Sequence, residues 1–160
     1  MIRAFKDLSK TGQLEVLRIL IKAGADVHAA DLAGFQAIHV AAGHAHPELV
    51  RELLKAGADP NAPGRPEYDE AFVPLYDAVI FSPKPQPSET KERTETARIL
   101  LEYGAHVNAY HPVRGDGPLQ WAADSGLEVV VSLLLQRGAE IEHEDNDGNT
   151  GLTAGLASLR

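Results

Sequence analysis

Apolar residues recur along this chain in short groups whose members are three and four positions apart, and each group is followed by a glycine. Such spacing is typical of one face of an α-helix. A glycine just past the last apolar position is the expected left-handed end of a helix. The pattern therefore predicts four helices that end at Gly24, Gly57, Gly104 and Gly138.

A second, shorter apolar segment precedes three of these helices. The segments are residues 37–42, 74–79 and 118–123, and the last two begin with proline. Proline is well tolerated in the first turn of a helix, where its missing amide would have no partner. The sequences Asp31–Gly34 and Asp145–Gly148 between the units are typical of turns. Each unit is thus predicted to contain a turn, a short helix and a longer helix.

The unit recurs along the sequence. The segments Gly24–His28, Gly57–Asn61, Gly104–Asn108 and Gly138–Glu142 align, and their first glycines are 33, 47 and 34 residues apart. These segments and the short helices resemble the ankyrin repeat, whose consensus joins a turn D-x-x-G to T-P-L-H and ends in G-A-D-V-N-A. The resemblance implies an all-α repeat solenoid of inner and outer helices, in which single units are stable only when they are stacked.

We interpret residues 1–160 as one domain with repeats at about 1–29, 30–62, 63–109 and 110–143 and a half repeat at 144–160. The third repeat is longer because of two insertions, one before its inner helix and one between its helices. The second insertion, residues 82–91, alternates proline with polar residues and is predicted to be extended or mobile rather than helical. It is either a docking peptide for an aromatic groove or a tolerated surface loop.

Composition narrows the classes of function. The chain has no cysteine, which excludes disulfides, thiol nucleophiles and cysteine–zinc sites. Its formal net charge of −8 disfavours nucleic acid as a partner. No apolar run approaches the roughly 18 residues of a membrane span, and the first residues lack a signal-peptide pattern. We therefore expect a soluble, cytoplasmic protein without a membrane partner.

In the ankyrin family, turn tips and inner helices form a concave face that contacts partner proteins, and the resemblance implies the same here. The matching positions are Leu32, Ala33, Phe35, His44, Tyr68, Asp69, Glu70, Phe72, Phe81, Arg114, Asp116 and Asp124. The candidate anchors are Leu32, Phe35, Tyr68 and Phe72, because interfaces concentrate their energy in apolar and aromatic side chains. Alternatively, Phe35 and Phe72 pack on each other, since they occupy equivalent positions in adjacent repeats. Trp121 is expected in the core or groove, with partner contact as the alternative.

The chain lacks a recognisable catalytic motif, and we expect neither an enzyme nor a cofactor. His39 matches the motif histidine that usually bonds to backbone groups. His44 and His46 lack a third ligand at a fixed spacing, so we expect no metal site. His111 and His143 lie at turn edges, where spacing predicts no partner for either side chain.

The sequence therefore predicts a non-catalytic protein–protein interaction module, an adaptor or scaffold. The alternative is a structural protein that associates with itself. Its C-terminal half repeat carries Leu152, Leu156 and Leu159, which are expected to stay partly exposed, and a dimer would cover them. The chain is accordingly expected to be a monomer or a weak homodimer.

Overall fold

The computed structural model describes residues 10–64, 72–80, 87–111 and 113–157. These residues form eight helices: α1 (Lys10–Lys22), α2 (Ala37–Gly43), α3 (Pro47–Lys55), α4 (Pro74–Val79), α5 (Pro87–Glu102), α6 (Pro118–Asp124), α7 (Glu128–Gln136) and α8 (Gly151–Ala157). Two isolated antiparallel bridges, Ala30 with Gln36 and Gly64 with Phe72, are the β pairings in the described residues. The predicted all-α repeat solenoid is confirmed.

The helices form two layers. The inner layer contains α2, α4, α6 and α8, each of which contacts the next, and the outer layer contains α1, α3, α5 and α7 in the same order. Each of α2, α4 and α6 also contacts the outer helix that follows it. The core lies between the layers, where Ile38, Leu75, Leu53 and Leu134 are almost fully buried. Stacking of neighbouring units therefore removes the apolar face of each helix from water.

The predicted helix ends are confirmed by the backbone. Positive φ angles of 85°, 94°, 90° and 86° occur at Gly24, Gly57, Gly104 and Gly138. This left-handed conformation is strained for a residue with a Cβ, which explains the glycine at each position. The residue after each glycine donates its amide to a carbonyl five positions back, as Ala58 does to Leu53 at 3.0 Å. That hydrogen bond satisfies a carbonyl that the helix leaves without a partner.

Asparagine side chains join adjacent repeats on the side of these loops. Asn61 accepts a hydrogen bond from the amide of His106 at 2.7 Å and donates to the carbonyl of Gly104 at 2.9 Å. Asn108 makes the equivalent pair with the amide of Glu140 and the carbonyl of Gly138. The asparagine of the repeat motif thus fixes the spacing between one loop and the next.

The long third repeat differs from its prediction. Residues 87–91 were expected to be extended or mobile, but they form the first turn of α5, so that expectation is wrong for them. Helix α5 has 16 residues, whereas α3 and α7 have nine each. Pro87 is the first helical residue, a position at which proline loses no hydrogen bond. Residues 82–86 lie outside the described residues.

Candidate functional site

The turn tips of repeat two and of the half repeat are built on an aspartate. Asp31 accepts hydrogen bonds from the amides of Ala33 at 2.9 Å and Phe35 at 3.0 Å. Asp145 accepts equivalent bonds from the amides two and four residues later. The carboxylate holds the turn closed, so Leu32 at the tip is fully exposed. Leu32 and Ala33 therefore lie at the surface as predicted from the sequence.

In repeat four a histidine replaces this aspartate. Nδ1 of His111 accepts hydrogen bonds from the amides of Val113 and Arg114, both at 3.2 Å. Burial, together with the nearby Arg114 guanidinium, lowers the pKa of His111 and keeps Nδ1 available as an acceptor. The prediction that His111 and His143 have no partner is wrong, since Nε2 of His143 also bonds to the carbonyl of Gly115 at 2.8 Å. The turn is also one residue longer than that of repeat two, and it carries the exposed Val113.

A row of rings follows the tips into the inner layer. Phe35 and Phe72 meet edge to face with ring centroids 6.3 Å apart. Phe35 also contacts His39 at 5.7 Å, and Phe72 contacts His111 at 5.2 Å and Tyr76 at 5.8 Å. Edge-to-face aromatic pairs contribute a favourable interaction energy in addition to the hydrophobic gain from the area that they bury. These contacts favour the alternative in which the two phenylalanines pack on each other between repeats.

Beside this row, four polar and aromatic side chains form a network, which we call the Tyr76 cluster: Tyr76, Arg114, Asp116 and Trp121. Tyr76 donates to Oδ1 of Asp116 at 3.0 Å, and Trp121 Nε1 donates to Oδ2 at 2.8 Å. The Arg114 guanidinium donates to the Tyr76 hydroxyl and lies 5.4 Å from the Trp121 ring centroid. Burial and the adjacent Asp116 carboxylate raise the pKa of Tyr76, so the phenol remains a donor.

The Tyr76 cluster corrects one predicted binding residue. Asp116 was predicted at an exposed tip, but it is only 9% exposed. Its position corresponds to Phe35, because the amide of His111 donates to the Asp116 carbonyl as that of Asp31 does to Phe35. At this position the side chain points into the inner layer. Asp116 therefore holds Arg114 and Trp121 in place, while Arg114 itself is exposed as predicted.

Tyr76 was missed in the sequence, although it occupies the place of a motif residue. At the equivalent position His39 accepts from the amide of Gln36 and donates to the carbonyl of Ala62. Gln120 makes the same two backbone bonds in repeat four. Tyr76 instead extends its hydroxyl to the next repeat. The sequence does show that Tyr76 replaces the histidine of the T-P-L-H motif, and this replacement could have identified it.

Replacing Tyr76 with phenylalanine is expected to lower the free energy of unfolding by about 1–3 kcal/mol, because Asp116 loses one of its donors while it stays buried. Urea unfolding monitored by circular dichroism measures the change. The matched control is Tyr103→Phe, at an exposed tyrosine, for which a change within about 0.5 kcal/mol is expected. A Tyr76→Phe variant as stable as the control would contradict this role of the hydroxyl.

The remaining predicted residues are scattered over the same layer. His44 is exposed at the end of α2, and its ring stacks on that of His46 at 6.3 Å. Asp124 is exposed at the end of α6. The structure thus brings Phe35, Phe72 and the Tyr76 cluster together, whereas Leu32, His44 and Asp124 lie apart on the surface. Four predicted residues lie outside the described residues: Tyr68, Asp69, Glu70 and Phe81.

Within residues 10–64, 72–80, 87–111 and 113–157, histidine and carboxylate side chains form no group of three or more that is suited to a metal ion. Over the same ranges, every helix is too short or too polar to cross a bilayer. The described residues form a surface of turn tips and inner helices beside Phe35, Phe72 and the Tyr76 cluster.

Family comparison identifies this architecture. A family model described as ankyrin repeats in many copies matches residues 4–54, and one for the single ankyrin repeat matches residues 114–146. The chain belongs to the ankyrin-repeat family. Ankyrin repeats are protein–protein interaction modules, and this establishes the general class of function for the ankyrin-repeat chain described here.

Several characterised proteins are similar to this ankyrin-repeat chain. Ankyrin repeat and SOCS box protein 18 of Homo sapiens is 32% identical over 140 residues, which cover 76% of this chain and 30% of that protein. Ankyrin repeat and SOCS box protein 3 of Bos taurus is 33% identical over 149 residues, which cover 91% of this chain and 26% of that protein. Protein phosphatase 1 regulatory subunit 27 of Homo sapiens is 36% identical over 61 residues, which cover 38% of this chain and 40% of that protein. The chain thus spans about a quarter to two fifths of the length of these relatives.

Proposed function

We propose that this ankyrin-repeat chain is a non-catalytic adaptor that binds another protein through the turn tips and inner helices of repeats two to four. One observation carries the proposal. Two tips hold large apolar side chains in water, Leu32 in repeat two and Val113 in repeat four. Exposing such side chains has a cost that a bound partner removes.

The rigidity of the surface between these tips supports the same proposal. Arg114 and Trp121 are both accessible in part, and both are held by Asp116. Arginine and tryptophan are enriched among residues that dominate binding energy. Because their positions are fixed before a partner arrives, little side-chain entropy is lost on binding. His44 and Asp124 extend the proposed surface along the ends of the inner helices.

A paired substitution tests the proposal. Leu32→Glu places a charge at an exposed apolar position, and Asp124→Lys reverses the charge of an exposed carboxylate. We expect the double variant to capture at least about tenfold less of the native partner from an extract, because interface anchors carry most of the binding energy. The control is Ile19→Glu on α1, an exposed apolar residue of the outer layer. Both variants are expected to melt like the wild type. Equal capture by the paired variant and the wild type would overturn the proposed surface.

A further inference from the structure

The end of the stack formed by α6, α7 and α8 carries a groove of about 330 Å³ with an apolar lining. Leu119 of α6 lies at its floor, Val131 and Leu135 of α7 form one wall, and Leu152 and Leu156 of α8 form the other. Leu152 is 71% exposed and Leu156 is 53% exposed. This surface is distinct from the turn tips and does not depend on the function proposed above.

Comparison between repeats identifies what kind of element fits the groove. The third residue before the helix-ending glycine is Leu54 in α3, Leu101 in α5 and Leu135 in α7. Leu54 and Leu101 are 6% and 5% exposed, and each of their helices is followed by another outer helix that packs against it. Leu135 is 39% exposed. The groove therefore lies where the repeat geometry places the next outer helix.

The inner layer gives the same result independently. The second residue of each inner helix is Ile38, Leu75, Leu119 and Leu152 in chain order. The first three are buried beneath the following units, whereas Leu152 is exposed. Leu152 therefore keeps the apolar character of a position that a neighbouring helix covers in the other repeats.

Charge determines which helix suits the groove. Residues 116–157 contain eight of the 23 carboxylates of the chain and only one of its 15 lysines and arginines, Arg137. Three of these carboxylates, Glu140, Glu142 and Glu144, are exposed on the loop that places Ile141 against the groove. A second copy of the chain would bring two such acidic loops together, which like-charge repulsion disfavours. A basic helix would be attracted to them.

We propose that the α7–α8 groove binds an amphipathic helix of another protein whose apolar face inserts between Leu135, Leu152 and Leu156 and whose polar face is basic. Helices bind such grooves through apolar side chains at positions i, i+3, i+4 and i+7. The bound helix occupies the place beside α7 and α8 that the repeat geometry gives to an outer helix. Its lysine and arginine side chains face the loop of Glu140, Glu142 and Glu144.

The test uses the full chain and three labelled synthetic peptides. The first has leucine at i, i+3, i+4 and i+7 and lysine elsewhere, the second replaces every lysine with glutamate, and the third replaces every leucine with serine. Fluorescence anisotropy is expected to give affinity for the first peptide at least about tenfold above that for either of the others, because both the charge and the apolar face are required. Equal binding of the first and third peptides would overturn the proposal.

Variants of the protein locate the binding. Leu152→Ser with Leu156→Ser is expected to weaken binding of the first peptide at least about tenfold, and Leu32→Ser, at an exposed leucine on a turn tip, is expected to leave that binding unchanged. Glu142→Lys with Glu144→Lys is expected to reverse the preference in favour of the glutamate peptide. Absence of binding up to millimolar peptide would overturn the proposal. So would a dimer in sedimentation that Leu156→Glu converts to monomer.

Discussion

Replacing Arg93 with alanine is expected to lower the free energy of unfolding by about 3–5 kcal/mol, because two backbone carbonyls lose a charged donor and each such bond contributes about 1.5–3 kcal/mol. Arg93 lies on α5 and is 3% exposed. Its Nη1 donates to the carbonyl of Ala78 at 2.9 Å, and its Nη2 donates to that of Gly43 at 3.4 Å. Both carbonyls lie in the last turns of inner helices, α4 and α2, where an intrahelical donor is missing.

The neighbouring repeats explain why the carbonyl of Ala78 needs the hydrogen bond from Arg93. In repeat two the amide of His46 donates to the carbonyl of Ala41 at 3.0 Å, and in repeat four the amide of Leu127 donates to that of Ala122 at 2.9 Å. Ala78 is the equivalent residue of repeat three. The residue five positions after Ala78 is Pro83, which has no amide hydrogen to donate. The guanidinium of Arg93 donates to this carbonyl instead.

Urea denaturation of Arg93→Ala beside Arg98→Ala measures this contribution. Arg98 lies on the same helix and pairs with Glu95 at 3.5 Å, with both side chains over 40% exposed. An exposed ion pair of this kind contributes about 0.2–1 kcal/mol. The two variants therefore separate the buried guanidinium from a surface one. Similar losses in both would contradict the proposed role of Arg93.

Leu53→Ala is expected to cost about 2–5 kcal/mol, because it leaves a cavity between the two layers. Leu53 is 2% exposed on α3, a helix that contacts α1, α2 and α5. The matched control is Leu32→Ala, at a leucine that is fully exposed, with an expected change within about 0.5 kcal/mol. Differential scanning calorimetry of both variants gives the comparison. A melting temperature of Leu53→Ala equal to that of the control would contradict the assigned register of the repeats.

Most of the fold could be predicted from the sequence because the signals are local. Helix periodicity and the glycine after each outer helix act within one unit, and Gly57 and Gly138 end their helices as expected. The start of α5 could not be predicted in this way. The alternating prolines before it argue against a helix, whereas the tertiary bonds of Arg93 favour one, and these involve residues 15 and 50 positions away.

The candidate site was predictable only at its surface. Leu32 is exposed because the Asp31 turn places it there, and the turn motif is visible in the sequence. Asp116 was assigned to the surface, because the 34-residue interval from Gly104 to Gly138 indicates one extra residue but not that it lies in the turn of His111. The Tyr76 cluster also joins side chains of two repeats. No pattern within one repeat contains that information.

The central claim, that a partner protein contacts the turn tips of the inner layer, is tested most directly by site-specific photo-crosslinking. A photoreactive amino acid is placed at position 32, at position 113 or at position 19 of the full chain, three exposed apolar positions. The first two lie on turn tips and the third lies on the outer helix α1. After irradiation in a native extract, we expect positions 32 and 113 to label the same protein and position 19 to label none. Labelling of that protein from position 19, with none from 32 or 113, would contradict the account.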